Sequence, residues 1–282
     1  RARLLEAVAE AVGERAGERE TSERDGGRAA VPVVAGAHVL VAEDNAINRL
    51  VIEGMLAARG IAVDVAENGR QALEMLAVAA YDAVFMDCQM PELDGYAATA
   101  AIRAGERERP GEPRLPIVAM TAHAMAGDRE RCLAAGMDDY LSKPLRPDEV
   151  DRVVATWIVA QDAEPEPADG DVAAPIEGLI DEARMQLFRK DYADVAGRLA
   201  TLFAETTPEL LDTLRAAHEA GDREEIGRAA HKLKGSCQNV GATFMATLAS
   251  SLERGDAGAG AVEELLAAYE PTRAALDAAL GG

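Results

Sequence analysis

The sequence predicts two folds in series: an α/β domain built on a doubly wound parallel sheet, then an all-α antiparallel helix bundle. Between residues 38 and 160, short apolar runs alternate with amphipathic stretches of helical period, the pattern of a five-stranded parallel sheet covered on both faces. From 176 onward the apolar spacing is helical throughout. Two stretches carry too little apolar periodicity for a core and divide the chain: 13–37, rich in charge and glycine, and 161–175, acidic and proline-rich like a semi-rigid tether.

In the α/β region the strands are read in HVLVAE, IAVDVA, AVFMD, PIVAMT and DYLS, and the helices at 46–59, 69–79, 94–104, 124–135 and 147–160. The apolar runs have strand length and turn residues bound them, whereas the longer stretches place apolar residues three and four apart. In the bundle the helices fall at 181–190, 193–219, 222–238, 241–253 and 260–280, with breaks near Gly221, Gly241 and Gly255. Glycine ends helices because it adopts left-handed backbone without penalty. No internal repeat is evident.

Bulk properties narrow the function. The 282 residues suffice for two domains with separate cores. Fifty acidic against 29 basic residues, a net charge of -21, argue against nucleic acid and an anionic membrane surface as partners and for proteins, small molecules or cations. Cys88, Cys132 and Cys237 are odd in number and widely spaced, which suggests neither a disulfide framework nor a zinc site and fits a reducing cytoplasm. No apolar run reaches the roughly 18 residues that span a bilayer. The start RARLLEAVAEAVG has neither a methionine nor a signal-peptide core, so the chain reads as a piece of a longer protein, and any membrane anchor of that parent lies in other segments.

In a doubly wound sheet, functional groups gather beyond the carboxyl ends of the strands. Here the first strand ends at Glu43 and Asp44, the third at Asp87, the fourth at Thr121, and Lys143-Pro144 follows the fifth. Taken singly each has a plain reading: an acidic helix start, a turn opener, a strand-end hydroxyl, a solvated charge. Taken together, three carboxylates, a hydroxyl and an ammonium converge on one small space. Carboxylates forced together need a cation, and a hard, partly open oxygen site suits Mg²⁺, with ligand distances of about 2.0–2.1 Å. Lysine and threonine suit the oxygens of a phosphoryl group, so the site points to phosphoryl transfer.

The segments VLVAEDNAINR, AVFMDCQMPELDGY, PIVAMTAHA and DDYLSKPL resemble the receiver domains of two-component response regulators, over about 38–160. The resemblance implies the flavodoxin-like strand order 2-1-3-4-5 and a Mg²⁺ site made by Glu43, Asp44, Asp87 and the backbone carbonyl of Gln89. It further implies that Asp87 is the phosphoacceptor, that Thr121 and Lys143 bind the phosphoryl oxygens, that the bond before Pro144 is cis, and that Tyr140 is an aromatic switch. In this family the residues two beyond the phosphoacceptor and the threonine, here Gln89 and His123, tune the lifetime of the acyl phosphate. Glu43 stands where many receivers have Asp, a common substitution.

The segment AHKLKGSCQNVGA, 230–242, reads as helix with His231, Lys234, Gly235 and Gln238 on one face and Leu233, Val240 and Phe244 turned to a core. The imidazole then faces water. Together with FAETTPELLDTLRAAHEAGDREEIGRAAHKLKG upstream, this segment resembles histidine phosphotransfer (HPt) domains, implying a bundle with a four-helix core over 176–282. His231 is then a second phosphoacceptor, Lys234 one turn on balances its charge, and Gly235 clears the face for a docking partner. His218 lacks such surroundings and reads as structural. The amphipathic helix at 1–12 reads as the last helix of a preceding receiver.

These resemblances imply a phosphorelay segment of a hybrid sensor histidine kinase, partnered by a kinase core, upstream or separate, and by a separate regulator receiver docking on the bundle. No ATP-binding glycine boxes occur in the sequence, so the segment itself is not expected to use ATP. A pseudo-receiver scaffold would dispense with the acidic cluster and lysine. A phosphatase-type hydrolase would need a second aspartate where Gln89 stands. A transcriptional output would need a basic recognition helix.

Overall fold

A computed structural model describes residues 36–109, 111, 113–121, 126–159, 178–258 and 260–280. The expected helix at 1–12, the linker 13–37 apart from its last two residues, His123 and the tether 161–175 lie outside the described residues.

Strands β1 (His38–Ala42), β2 (Ala62–Ala66), β3 (Ala83–Asp87), β4 (Ile117–Thr121) and β5 (Asp139–Ser142) form one parallel sheet in the order β2-β1-β3-β4-β5. The chain winds outward from β1 to β2, then returns past β1 to lay down β3. The winding direction therefore reverses between β1 and β3, and the crevice beyond their carboxyl ends is where a doubly wound sheet places its site.

Alternate side chains of the central strands enter two cores, as a strand period of two requires. Val39, Val41, Ala83, Phe85, Val118 and Met120 point into one core; Leu40, Ala42, Val84, Met86, Ile117 and Ala119 point into the other. Helices α1 (Ala46–Ala57), α2 (Gly69–Leu76), α3 (Gly95–Arg107), α4 (Ala126–Ala135) and α5 (Pro147–Val154) complete the domain, and α5 runs on into a π-helical turn, Ala155–Val159. Asn45, Asn68 and Asp94 cap the first three, each with a side-chain oxygen accepting backbone N–H groups of the first turn. Gly95 is required where it stands, because a Cβ there would lie 2.1 Å from the carbonyl oxygen of Asp87.

The bundle comprises α6 (Glu182–Asp191), α7 (Ala193–Ala220), α8 (Arg223–Asn239), α9 (Thr243–Arg254) and α10 (Ala261–Leu280). Contacts of α7 with α8, α8 with α9, α9 with α10 and α10 with α7 close a four-helix core, with α6 lying against α7 and α10. Helices α7 and α9 stop at Gly221 and Gly255, in left-handed conformation at φ 69° and 73°. Phe244 departs from the expected pattern: it is 37% exposed rather than in the core. The reason is the break at Gly241, after which α9 starts on its own axis, so helical spacing counted from His231 no longer gives Phe244 its direction.

Sheet domain and bundle belong to one compact unit, Pro32–Gly282. Helix α1 packs against α7 and α8, and one apolar core runs from Val39, Ile47 and Val51 into Val195, Leu199 and Phe203. None of the described helices is long and apolar enough to cross a membrane.

Phe203 is fully buried on α7, its ring 6.0 Å from that of Tyr269. Phe203→Ala should lower the unfolding free energy by about 3–5 kcal/mol, read as a reduced urea midpoint of helical circular dichroism.

Candidate functional site

Glu43, Asp44 and Asp87 converge at the β1/β3 crevice, each offering a carboxylate oxygen within 4.8 Å of the others. Lys143 reaches in from beyond β5, its ammonium donating to Glu43 Oε2 at 2.6 Å and Asp87 Oδ2 at 2.7 Å. Glu43, Asp87, Lys143 and Thr121 are all buried. The backbone N–H of Gln89, an exposed residue, donates to Asp87 Oδ1 at 3.2 Å, and Asn48 donates its amide to Glu43 Oε1 at 2.9 Å. Thr121 is the last residue of β4, and its carbonyl accepts the N–H of Lys143 at 2.7 Å. The Lys143-Pro144 bond is cis. Tyr140 is half-buried on β5, against the core that contains Met86 and Cys88.

The electrostatics are those of a site short of positive charge. Burial, reinforced by the Asp87 carboxylate and opposed by Lys143, pushes the Glu43 carboxyl up to about 8. Burial also works against the charge of Lys143, but Asp87 and Glu43 outweigh it and raise its pKa above the ordinary lysine value. Asp44 Oδ2 is buried, and its one close partner among the described residues is the Lys232 ammonium at 2.7 Å. Three hard carboxylates whose oxygens lie within 4.8 Å of one another, with a single buried ammonium between two of them, fit a small divalent cation.

His231 sits on α8 with its side chain 21% exposed. Its Nδ1 lies 2.6 Å from Glu253 Oε1, and the other oxygen of Glu253 accepts from Lys234 Nζ at 2.6 Å. Burial raises the Glu253 carboxyl, but hydrogen bonds from His231 and Lys234 and their charges overturn it and bring the group down to about 2. An ionised Glu253 accepts a hydrogen bond from Nδ1–H, the tautomer that leaves the lone pair on Nε2. Lys234 is not on an open face as the helical wheel has it: it is 2% exposed and committed to Glu253. The wheel treats α8 as an isolated helix, whereas α9 and α1 cover that side. Gly235 is likewise buried, against Asn48. His218 is largely exposed near Glu263, away from any such network.

The family model for the response regulator receiver domain matches residues 39–155, and that for the Hpt domain matches 198–281. The chain is a receiver domain followed by an Hpt domain. It is 34% identical over 206 residues to the sensor histidine kinase GacS of Pseudomonas protegens, covering 72% of this chain and 22% of that one. It is 30% identical over 224 residues to the aerobic respiration control sensor protein ArcB of Escherichia coli, covering 78% and 28%. The chain thus spans about a quarter of the length of these relatives. Among solved structures, the receiver domain of sensor histidine kinase PA1611 from Pseudomonas aeruginosa, with magnesium coordinated in its active-site cleft, is 48% identical over 44% of this chain and 99% of that one, with a TM-score of 0.40.

Receiver and Hpt domain meet through polar contacts that sequence reading missed. Asn45, while capping α1, donates its amide to Ser236 Oγ at 2.7 Å and to the carbonyl of Lys232 at 3.2 Å. Asn239 donates to Asn48 Oδ1 at 2.7 Å, and Lys232 Nζ stands 2.7 Å from Asp44 Oδ2. Glu253 was equally illegible, since it lies in SLERG, 19 residues beyond Lys234, with no local motif to mark it.

The Glu253 network carries a pH signature. Its folded pKa is depressed, so its contribution to stability is complete above the unfolded value near 4.5 and is lost as pH falls toward about 2. Urea unfolding should show the Hpt domain losing on the order of 2 kcal/mol across that window, and Glu253→Gln should flatten the dependence.

Proposed function

We propose that this chain exchanges a phosphoryl group between phosphohistidine and Asp87 in a Mg²⁺-dependent reaction, with His231 as a second phosphoryl carrier, as a segment of a hybrid histidine kinase. The observation that carries this reading is the buried Lys143 ammonium on Asp87 and Glu43, inside a carboxylate cluster at the sheet's switch point. A scaffold without chemistry would gain nothing from three carboxylates crowded together, since burying them is destabilising.

In the forward step a carboxylate oxygen of Asp87 attacks the phosphorus of a phosphohistidine. The P–N bond breaks and its electron pair returns to the imidazole nitrogen. In the transfer to His231, the Nε2 lone pair attacks the acyl phosphate, the O–P bond breaks, and the pair returns to the Asp87 carboxylate. Glu253 accepts the Nδ1–H hydrogen bond throughout, holding that proton on the ring, and its carboxylate offsets the positive charge of the phosphorylated imidazole. Lys143 and Thr121 hold the phosphoryl oxygens. Glu43, Asp44, Asp87 and the Gln89 carbonyl would hold Mg²⁺, which when bound supplies neutralisation of the phosphoryl charge. Tyr140 responds to Thr121 as the switch, and Lys234 keeps Glu253 in place. The partners are a histidine kinase core and a separate receiver that takes the phosphoryl group from His231, on the cytoplasmic side of the membrane.

Asp87→Asn should abolish the base-labile phosphate gained from acetyl phosphate with the fold intact by circular dichroism, and His231→Gln should abolish the acid-labile one; persistence of either label would reassign its site. A chelator in excess should stop labelling of Asp87 while a phosphohistidine already formed stays intact at neutral pH. Undiminished labelling of Asp87 would sink the metal assignment.

A further inference from the structure

The face of the Hpt domain that the sequence leaves for a separate receiver is covered by the chain's own. At its far end, helix α1 of the receiver passes so close to the start of α7 that a Cβ on Gly54 would lie 2.3 Å from Val195 Cγ2 and 3.5 Å from Val195 Cβ. The valine methyl occupies the space a side chain at 54 would need. At its near end, Asn48 and Asn239 bond amide to amide in a buried setting. Asn239 is in turn fixed by Arg184 of α6, whose Nη2 reaches its Oδ1 at 3.3 Å and whose Nε reaches its carbonyl at 2.9 Å. The same guanidinium donates to the carbonyl of Leu145 at 3.2 Å, two residues beyond Lys143. The two ends differ in kind. The near end is polar and sets the register; the far end is steric and admits only a receiver without a side chain there.

We propose that Gly54 and Val195, with the Asn48–Asn239–Arg184 contacts, form a lock that selects this chain's own receiver as the domain that delivers phosphate to His231, before a separate receiver removes it. A receiver carrying any side chain at the position of Gly54 is turned away from this face unless Val195 gives way. This rests on the phosphotransfer reading above. It adds which receiver docks, and through which residues. Neither Gly54 nor Val195 touches the carboxylate pocket or the imidazole network, so their effect is on docking alone. In a helix interior alanine is favoured over glycine by about 1 kcal/mol, so Gly54→Ala should not unfold the receiver.

The test uses the whole chain loaded at Asp87 by acetyl phosphate and Mg²⁺, following base-labile phosphate on Asp87 and acid-labile phosphate on His231, with Asp87→Asn as the control for direct labelling of the histidine. Gly54→Ala should leave loading of Asp87 unchanged and slow its passage to His231 by about tenfold, the effect of an overpacked contact. Adding Val195→Ala removes the clashing Cγ2 methyl and leaves the two β-carbons at 3.5 Å, an ordinary contact distance, so the double variant should recover to within about threefold of wild type by the same reasoning. Unchanged transfer in Gly54→Ala, or failure of Val195→Ala to rescue it, overturns the lock. Mixing the Asp87→Asn and His231→Gln chains asks whether docking is within one chain. Slow exchange in the mixture supports the proposal, and exchange as fast as in the wild type overturns it. Absence of any label on Asp87 in the wild type would instead remove the phosphotransfer reading itself.

Discussion

The ammonium of Lys143 holds the receiver's active face together. It lies between two buried carboxylates, 2.6 Å from Glu43 and 2.7 Å from Asp87, where like charges would otherwise expel one another or take up a proton. Removing one partner of such a pair leaves an uncompensated buried charge, which costs several kcal/mol, about 3–5 by analogy with other proteins. The strand order brings these groups together: β1 and β3 are neighbours at the reversal point, and β5 ends two strands away with its following loop aimed back across β4. The sheet topology, the loop at Pro144 and the carboxylate crowding are therefore parts of one solution.

From that centre a continuous set of hydrogen bonds leads out of the receiver. Glu43 accepts from Asn48, Asn48 accepts from Asn239, and Arg184 binds both Asn239 and the loop carbonyl that follows Lys143. Each amide here is buried or nearly so, and each finds a partner, as burial demands. Asn45 has two duties, capping α1 with its oxygen and bonding the other domain with its nitrogen. A polar seam of this kind fixes register more sharply than apolar contact alone, which tolerates sliding. The apolar core beneath it supplies area, and the seam supplies address.

The strands and most helix boundaries were legible because their signals are local. Apolar alternation, Asn and Asp caps and stopping glycines all act within one turn or one strand, and the helix breaks at Gly221 and Gly255 fall where the residues imply. The pocket was legible for a different reason: a doubly wound fold dictates where strand ends meet, so Glu43, Asp87 and Lys143 could be placed together from order alone. What escaped reading lies between elements far apart in sequence. Glu253 reaches His231 from the next helix, 22 residues away, and Asn48 meets Asn239 across 191. The helical wheel gave Lys234 to solvent because a wheel has no neighbours, and the two domains were read as if nothing joined them but a tether.

Arg184 belongs to α6, which lies before residue 198, where the resemblance to other Hpt domains begins. The matched part of the bundle contains the imidazole, its glutamate and its lysine. The guanidinium that ties the bundle to its neighbour sits in a preceding helix outside that common core. Part of the pairing, Arg184 and Val195, is thus encoded ahead of the stretch that carries the imidazole, while Lys232, Ser236 and Asn239 share its helix. Substitutions at those two leading positions would therefore adjust how firmly the bundle holds its neighbour while leaving the helix of His231 unchanged.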